Sequence, residues 1–316
     1  MANTVITVSK ETLLKMKNHY SASIQAKTPP GAVFTAKTKG TTITAYNSGK
    51  VLFQGTAGDA EAGKWGNVAA SSPKKPSPFK KRNVSAHRYL PPANINELSM
   101  IGTDEAGTGD YFGPITVAAA YVDKQHVKIL EDMGIRDSKT IRDPQILILG
   151  QKITNMIPYS LLVLKNEKYN QLQKKGMTQG KMKAMLHEQS IKHLLGKLEQ
   201  PADGILIDQF CEPDVYFRHT ATTGERPVPL YFSTKAESIS TAVAAASVIA
   251  RYAFLKHMDL LSEQAGMTIP KGASSKVDET AAKFIALKGE QNLDSFAKLH
   301  FANTEKARKL VKRIGL

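Results

Sequence analysis

The chain has 316 residues, 41% of them hydrophobic and 22% charged, which describes a folded globular protein and excludes a disordered one. Its formal net charge of +15 is unevenly spread: residues 1–92 hold 14 Lys/Arg against three acids, a net of +11, leaving +4 for residues 93–316. A basic N-terminal third with so few acids points to a polyanion, nucleic acid first, rather than to a surface kept for solubility.

In chain order, "VITV" (5–8) reads as a strand, Ser9 as a cap, and "KETLLKMKNHYSA" as the helix that follows. Three further strand segments, "AVFTAKT", "TTITAY" and "KVLFQ", are separated by the turn signals "KG" and "NSG". The expected order is β-α-β-β-β. In "TTITAY", Thr42, Thr44 and Tyr46 share one face and Ile43 and Ala45 the other. The first face lies beside Lys37, Lys39 and Lys50, which makes Tyr46 and Lys50 candidate nucleic-acid contacts.

The segment 71–92, "SSPKKPSPFKKRNVSAHRYLPP", contains no acid, and its prolines forbid regular helix or central strand. It reads as a linker between a small domain (1–70) and a larger one (93–316). Beyond it, "ELSMIGTD", "ITVAAAYV" and "GILIDQF" look like strands. "QILILGQKITNMI", "KMKAMLHEQSIKHLLGKLE" and "AESISTAVAAASVIARYAFLKHM" look like helices. The mixture is α/β. The single cysteine, Cys211, excludes an intramolecular disulfide and a cysteine zinc site. No apolar signal core opens the chain, and the apolar run 241–250 is too short to span a bilayer. A cytosolic monomer is expected.

"TDEAGTGD" (103–110) concentrates acid in this basic chain. Gly107, Gly109 and Gly113 could form a dinucleotide-binding turn, but that needs a helix immediately afterwards, and "PITVAAAYV" reads as strand. Two readings remain. The segment is either a hairpin connection with solvated acids or part of a metal site. Asp208, closing the buried run "GILI", is costly to bury unless paired or bound to a cation; it could instead cap a helix or turn. Glu237 fits a capping box with Thr234 as well as it fits a ligand role. Four carboxylates from three segments, with no cysteine partners, suit hard cations, Mg²⁺ above all, with Mn²⁺ a possible substitute. The eight histidines form no ligand pattern, His187 and His193 standing six apart on different helix faces.

"DEAGTGDYFGP", "DSK" (137–139), "LIDQF" and "KAESISTAVAAASVIAR" together resemble the type 2 ribonucleases H. Thr108 between the glycines and Glu237 in the last motif are similar to ribonuclease HIII rather than HII, and "TITAYNSGKVLFQG" resembles its TATA-binding-protein-like repeat. The resemblance implies a ribonuclease H-like catalytic domain, a mixed central sheet flanked by helices, behind a small α+β TATA-binding-protein-like domain. It implies cleavage of the RNA strand of RNA/DNA hybrids, leaving 3′-hydroxyl and 5′-phosphate ends, with weak or no action at single ribonucleotides. Carried over by motif, Asp104, Glu105, Asp208 and Glu237 would hold metal. The backbone of Gly107, Thr108 and Gly109 would meet the ribose, and Lys139 and Lys235 would contact phosphate. Asp110 has no metal role in this reading. A non-catalytic nucleic-acid binder with structural acids is the alternative.

Overall fold

The computed structural model describes residues 3–26, 28–29, 31–65, 87–135, 140–223 and 226–314. The chain divides into two units, Met1–Arg82 and Asn83–Leu316.

In the first unit, β1 (Asn3–Thr7) leads into α1 (Lys10–His19). A meander of β2 (Ala32–Thr38), β3 (Thr41–Tyr46) and β4 (Lys50–Gln54) follows, and then the short α2 (Gly58–Gly63). The sheet order is β1-β4-β3-β2, all antiparallel. Ser9 caps α1 as its position suggests, the hydroxyl accepting from the Thr12 amide at 3.2 Å. The turn into β4 requires glycine: Gly49 has φ of +80°, and a Cβ there would lie 2.7 Å from the Val8 carbonyl oxygen. Phe34, Ile43, Val51 and Phe53 pack against Leu13, Met16 and Tyr20 of the α1 side. The expected strand order is present; α2 went unread because "GDAEAG" is too short to carry a period. The outer face of β3 is drier than expected. Thr42 and Tyr46 are partly exposed, whereas Thr44 is buried between Thr35 and Leu52 on the neighbouring strands.

The second unit opens with β5 (Met100–Ala106), β6 (Ile115–Val122), α3 (His126–Asp132) and α4 (Asp143–Thr154). Next come β7 (Tyr159–Leu164), α5 (Asn166–Lys174), α6 (Gln179–Leu195), β8 (Gly204–Asp208), α7 (Pro213–Thr220) and β9 (Leu230–Ser233). It closes with α8 (Thr241–Ala265), α9 (Ser275–Lys288) and α10 (Ala302–Ile314). The sheet order is β7-β6-β5-β8-β9; β5, β8 and β9 run parallel, while β6 is antiparallel to both its neighbours.

Both faces of this sheet are covered, which is why β6 and β8 read as nearly continuous apolar runs. On one face Ala118, Ala120 and Leu206 pack with Ile146 and Ile153 of α4 and with Val243, Val248 and Ile249 of α8. On the other, Ile101, Ala119, Ile205 and Ile207 meet Ala184, Ile191 and Leu194 of α6 and Tyr216 of α7. The alanine-rich start of α8 lets its backbone lie directly on β5. A Cβ on Gly102 would fall 2.2 Å from the carbonyl carbon of Ala242 and from the amide nitrogen of Val243.

Two sequence expectations need correction. Glu237 does not begin the long helix: it sits in a separate 3₁₀ turn, Ala236–Ser238, and α8 starts at Thr241. Lys235 at φ of +58° and extended Ser240 break the run on either side. At the end of the expected linker, the Tyr89 carbonyl accepts from the Phe232 amide at 2.9 Å, and its ring meets Phe217 and Phe232. That end therefore packs on the second unit, while 71–86 lie outside the described residues. No helix among the described residues is long and apolar enough to cross a membrane.

Candidate active site

The β5/β8 pairing is parallel and in register from Met100 opposite Gly204 to Thr103 opposite Ile207. One residue further, Asp104 and Asp208 stand on adjacent strands about 4.8 Å apart, both at the carboxyl end of an apolar run. Period-2 alternation then sorts the acids. Asp104 shares its face with Gly102 and the α8 backbone, and Glu105 shares the opposite one with Ile101 and α6. The two adjacent carboxylates thus straddle the sheet end.

Asp104 is 7% exposed. Burial first, then the charges of Asp208 and Glu105, push its carboxyl up to about 8, against the Ser247 hydroxyl and the Glu105 amide, which favour the charged form. That amide donates to Asp104 Oδ1 at 2.7 Å. Glu105 is the reverse case. Burial raises its pKa, but Oε2 at 2.9 Å from His187 Nε2 and Oε1 at 2.8 Å from Lys183 Nζ outweigh it and hold the carboxyl down near 2. His187 is fully buried, with Nδ1 2.8 Å from the Thr103 hydroxyl. Lys183 also stands 4.2 Å from the centre of the Phe210 ring.

Asp208 Oδ1 accepts from the Ala236 amide at 2.8 Å and so caps the 3₁₀ turn carrying Glu237, which is 5% exposed. The turn-capping alternative for Asp208 is thus realised. The N-cap position of that turn is Lys235 rather than the Thr234 of the capping-box reading, and the Lys235 side chain makes no capping hydrogen bond. Lys235, immediately before it, is exposed in a left-handed conformation. Among the described residues no group of three or more His, Cys, Asp or Glu side chains stands as a ready-made metal nest, and Glu105 is turned toward Lys183 and His187 instead. The donor chemistry nevertheless fits a divalent cation. The acids at this sheet end supply only oxygen, and Asp104 is held against its ionisation by two like charges that a cation would offset.

The glycine loop joins β5 to β6, so a strand follows it and the dinucleotide-turn reading fails. Gly107 is buried at φ of +86°, and a Cβ there would meet the Pro114 carbonyl oxygen at 2.2 Å. Gly109 is exposed, with nothing within 4 Å of its Cβ position. Thr108 is partly exposed, its carbonyl accepting from Gln179 Nε2 at 3.1 Å. Asp110 serves the loop rather than the acids: Oδ1 accepts from the Gly272 amide at 2.6 Å. Below it, fully buried Lys298 donates to the carbonyls of Asp110 at 2.8 Å and Gly113 at 2.5 Å. Desolvation lowers its pKa to about 7, opposed by the Asp110 charge.

Lys139 lies outside the described residues. Tyr46 and Lys50 belong to the first unit, where they line one depression with Val5 and Leu52. The sequence reading missed His187, Lys183, Gln179 and Lys298. A signal existed for the first two. Lys183 and His187 are four apart on α6 and share a face, whereas His187 was compared only with His193.

The family model for ribonuclease HII matches residues 101–304, and one for a domain of unknown function, DUF3378, matches residues 3–78. Ribonuclease HIII of Bacillus velezensis is 55% identical over 314 residues, covering 99% of each chain. The chain belongs to the ribonuclease HIII family. Ribonuclease HIII of Bacillus subtilis is likewise 55% identical, over 311 residues and 98% of each chain. The crystal structure of a Q54A mutant of Bst-RNase HIII matches with a TM-score of 0.68 at 41% identity, covering 99% of this chain and 100% of that one. Bst-RNase HIII in complex with Mn²⁺ matches at 0.66 and 42%, with the same coverage. The larger unit is therefore a ribonuclease H-like domain, its mixed sheet flanked by helices. As a ribonuclease HIII the chain is an endonucleolytic hydrolase of type 2 that cleaves RNA in RNA/DNA hybrids, which sets aside the non-catalytic alternative.

Proposed function

We propose that the enzyme cuts the RNA strand with two divalent ions held by Asp104, Glu105, Asp208 and Glu237, and leaves 3′-hydroxyl and 5′-phosphate ends. The observation that carries this is the adjacency of Asp104 and Asp208 at the ends of two parallel strands, with Glu105 beside one and the turn of Glu237 capped by the other. Mg²⁺ is the physiological ion and Mn²⁺ a substitute, as the all-oxygen donor set supports; the Mn²⁺ complex of Bst-RNase HIII supports a divalent ion at this site. When bound, such ions lower the pKa of an attacking water and stabilise the leaving oxygen.

The chain's own residues do the rest. The Asp208 carboxylate fixes the turn that brings Glu237 to the sheet end. His187 and Lys183 hold Glu105 ionised. Gly109, without a side chain and exposed, leaves room for a ribose to approach the backbone, and the 2′-hydroxyl is what distinguishes RNA from DNA. Lys235 and Lys139 contact phosphate. In the N-terminal substrate-binding domain (1–70), TATA-binding-protein-like and joined by a linker that begins at 71 and ends before Tyr89, Tyr46 and Lys50 contact the hybrid. Runs of RNA are cut and lone embedded ribonucleotides are not. The enzyme works as a cytoplasmic monomer.

The test is incubation of a labelled RNA/DNA hybrid with the protein in Mg²⁺, Mn²⁺ or EDTA. Cleavage in both metals, none in EDTA, and its loss in Asp104→Asn are expected; uncut RNA across a metal titration refutes the reading. Replacing Lys37, Lys39 and Lys50 by Gln is expected to flatten the salt dependence of binding, by about 0.9 in log–log slope for each lysine that meets a phosphate.

A further inference from the structure

The peptide between Thr108 and Gly109 is held from one side only. Its carbonyl oxygen accepts from Gln179 Nε2 at 3.1 Å, and the same nitrogen donates its second hydrogen to the Tyr169 hydroxyl oxygen, also at 3.1 Å. A carbonyl can only accept, so it is the NH₂ of Gln179, not its oxygen, that faces the loop. Both partners are anchored. Gln179 is the first residue of α6, whose cap Thr178 accepts from the Lys181 amide at 3.2 Å, and Tyr169 is buried in α5.

A trans peptide is planar, with its C=O and N–H pointing in opposite directions. Fixing the Thr108 oxygen toward Gln179 therefore aims the Gly109 N–H away from the protein. Among the described residues nothing accepts from that N–H, Gly109 is exposed, and the space where a side chain would stand is open. The next residues cannot turn to compensate. Asp110 is tied by its carboxylate to Gly272 and by its carbonyl to Lys298, and the Tyr111 amide donates to the Gly272 carbonyl.

We propose that Gln179 is a positioning residue which locks the Thr108–Gly109 peptide so that the Gly109 N–H donates to the 2′-oxygen of a ribose in the bound RNA strand. The inference rests on the hybrid-binding reading above and names the side chain behind the loop's selectivity. Gln179 touches no substrate. It acts by denying the peptide its flipped orientation, in which a carbonyl would face the ribose oxygen.

The experiment measures hybrid affinity by fluorescence anisotropy in EDTA, so that it does not depend on cleavage. Wild type is compared with Gln179→Met, which keeps length and loses both donors, and with Gln179→Glu, which sets a carboxylate against the Thr108 carbonyl. Each is tested on an all-ribose hybrid, on hybrids with one 2′-deoxy nucleotide moved along the strand, and on hybrids with single methylphosphonates. Losing one neutral hydrogen bond at the interface corresponds to about a tenfold weaker Kd. In wild type, one 2′-deoxy position should carry that loss. In both variants the all-ribose hybrid should bind about tenfold more weakly, and that position should carry no further penalty. Persistence of the full 2′-deoxy penalty in a variant whose melting temperature matches wild type overturns the proposal. So does a penalty that disappears for a methylphosphonate instead, which would make the acceptor a phosphate. Wild type that binds the hybrid but cuts nothing in Mg²⁺ or Mn²⁺ refutes the proposed cleavage chemistry and leaves this inference standing.

Discussion

The Lys183 ammonium lies 2.8 Å from Glu105 Oε1, both groups almost wholly out of solvent. Lys183 is thus a built-in cation on one acid of the proposed metal site, and a divalent ion must compete with it. Lys183→Met should tighten Mn²⁺ binding, measured by calorimetry, by on the order of 1 kcal/mol, about fivefold. Equal or weaker affinity would mean that the lysine orders Glu105 more than it neutralises it.

Without metal, Asp104 should make the protein less stable as pH rises. Its folded pKa of about 8 lies above the ordinary aspartate value of 3.8, so the folded state binds the extra proton between those limits. Stability from this group is complete at low pH and is lost as pH climbs through that window. Glu105 has the opposite sign, since its depressed pKa gives stability that is lost as pH falls from 4.5 toward 2. Melting scans in EDTA should therefore show Asp104→Asn more stable than wild type at pH 8, with the gap closing toward pH 5. Adding Mn²⁺ at pH 8 should raise the wild-type melting temperature and leave the variant nearly unchanged.

Two glycines separate folding from function. At Gly102 a methyl would overlap the backbone of Ala242 and Val243, which no rotamer change relieves. Gly102→Ala should cost about 3 kcal/mol or more in denaturant unfolding. At Gly109 a methyl meets nothing. Gly109→Ala should unfold within about 0.5 kcal/mol of wild type yet bind an RNA/DNA hybrid more weakly, because the methyl stands where the sugar approaches. A variant that binds normally removes the loop from the interface.

Lys298 offers a separate pH signature. Its pKa of about 7 lies below the ordinary lysine value of 10.5, so the unfolded state binds more protons between the two. Its contribution to stability therefore rises from pH 7 upward, and above about pH 9 Asp104 is already ionised and no longer changes. Lys298→Met should abolish that rise between about pH 9 and 10. It should also cost about 2–4 kcal/mol, because the Asp110 carbonyl loses its buried donor and the Gly113 carbonyl keeps only that of Asn166.

Much of this was legible beforehand because the relevant signals are local. The apolar runs "GILI" and "ITVAAAYV", the turn after Ser48 and the cap at Ser9 each follow from neighbouring residues, and the motif order singled out the acids that we propose hold metal. What escaped reading depends on contacts between distant segments. Lys298 resembles any surface lysine until Asp110 and Gly113 close over it. Gln179 is one polar residue at a helix start, given meaning only by Tyr169 and Thr108. Glu237 was misassigned to the long helix because a left-handed Lys235 and an extended Ser240 leave no mark on composition.

The glycine loop is finished by residues from the far end of the chain: Gly272 on Asp110, the Phe296 carbonyl on the Gly113 amide, and Lys298 beneath both Asp110 and Gly113. Synthesis runs from the N-terminus, and domains fold as units once their chain is available. A nascent polypeptide carries Asp104, Asp208 and Glu237 before Gly272, Phe296 and Lys298, which support its glycine loop, have been translated. The loop is therefore completed only once Phe296 and Lys298 have been made, and a product truncated before Phe296 would have the acids but not the groups that hold the loop.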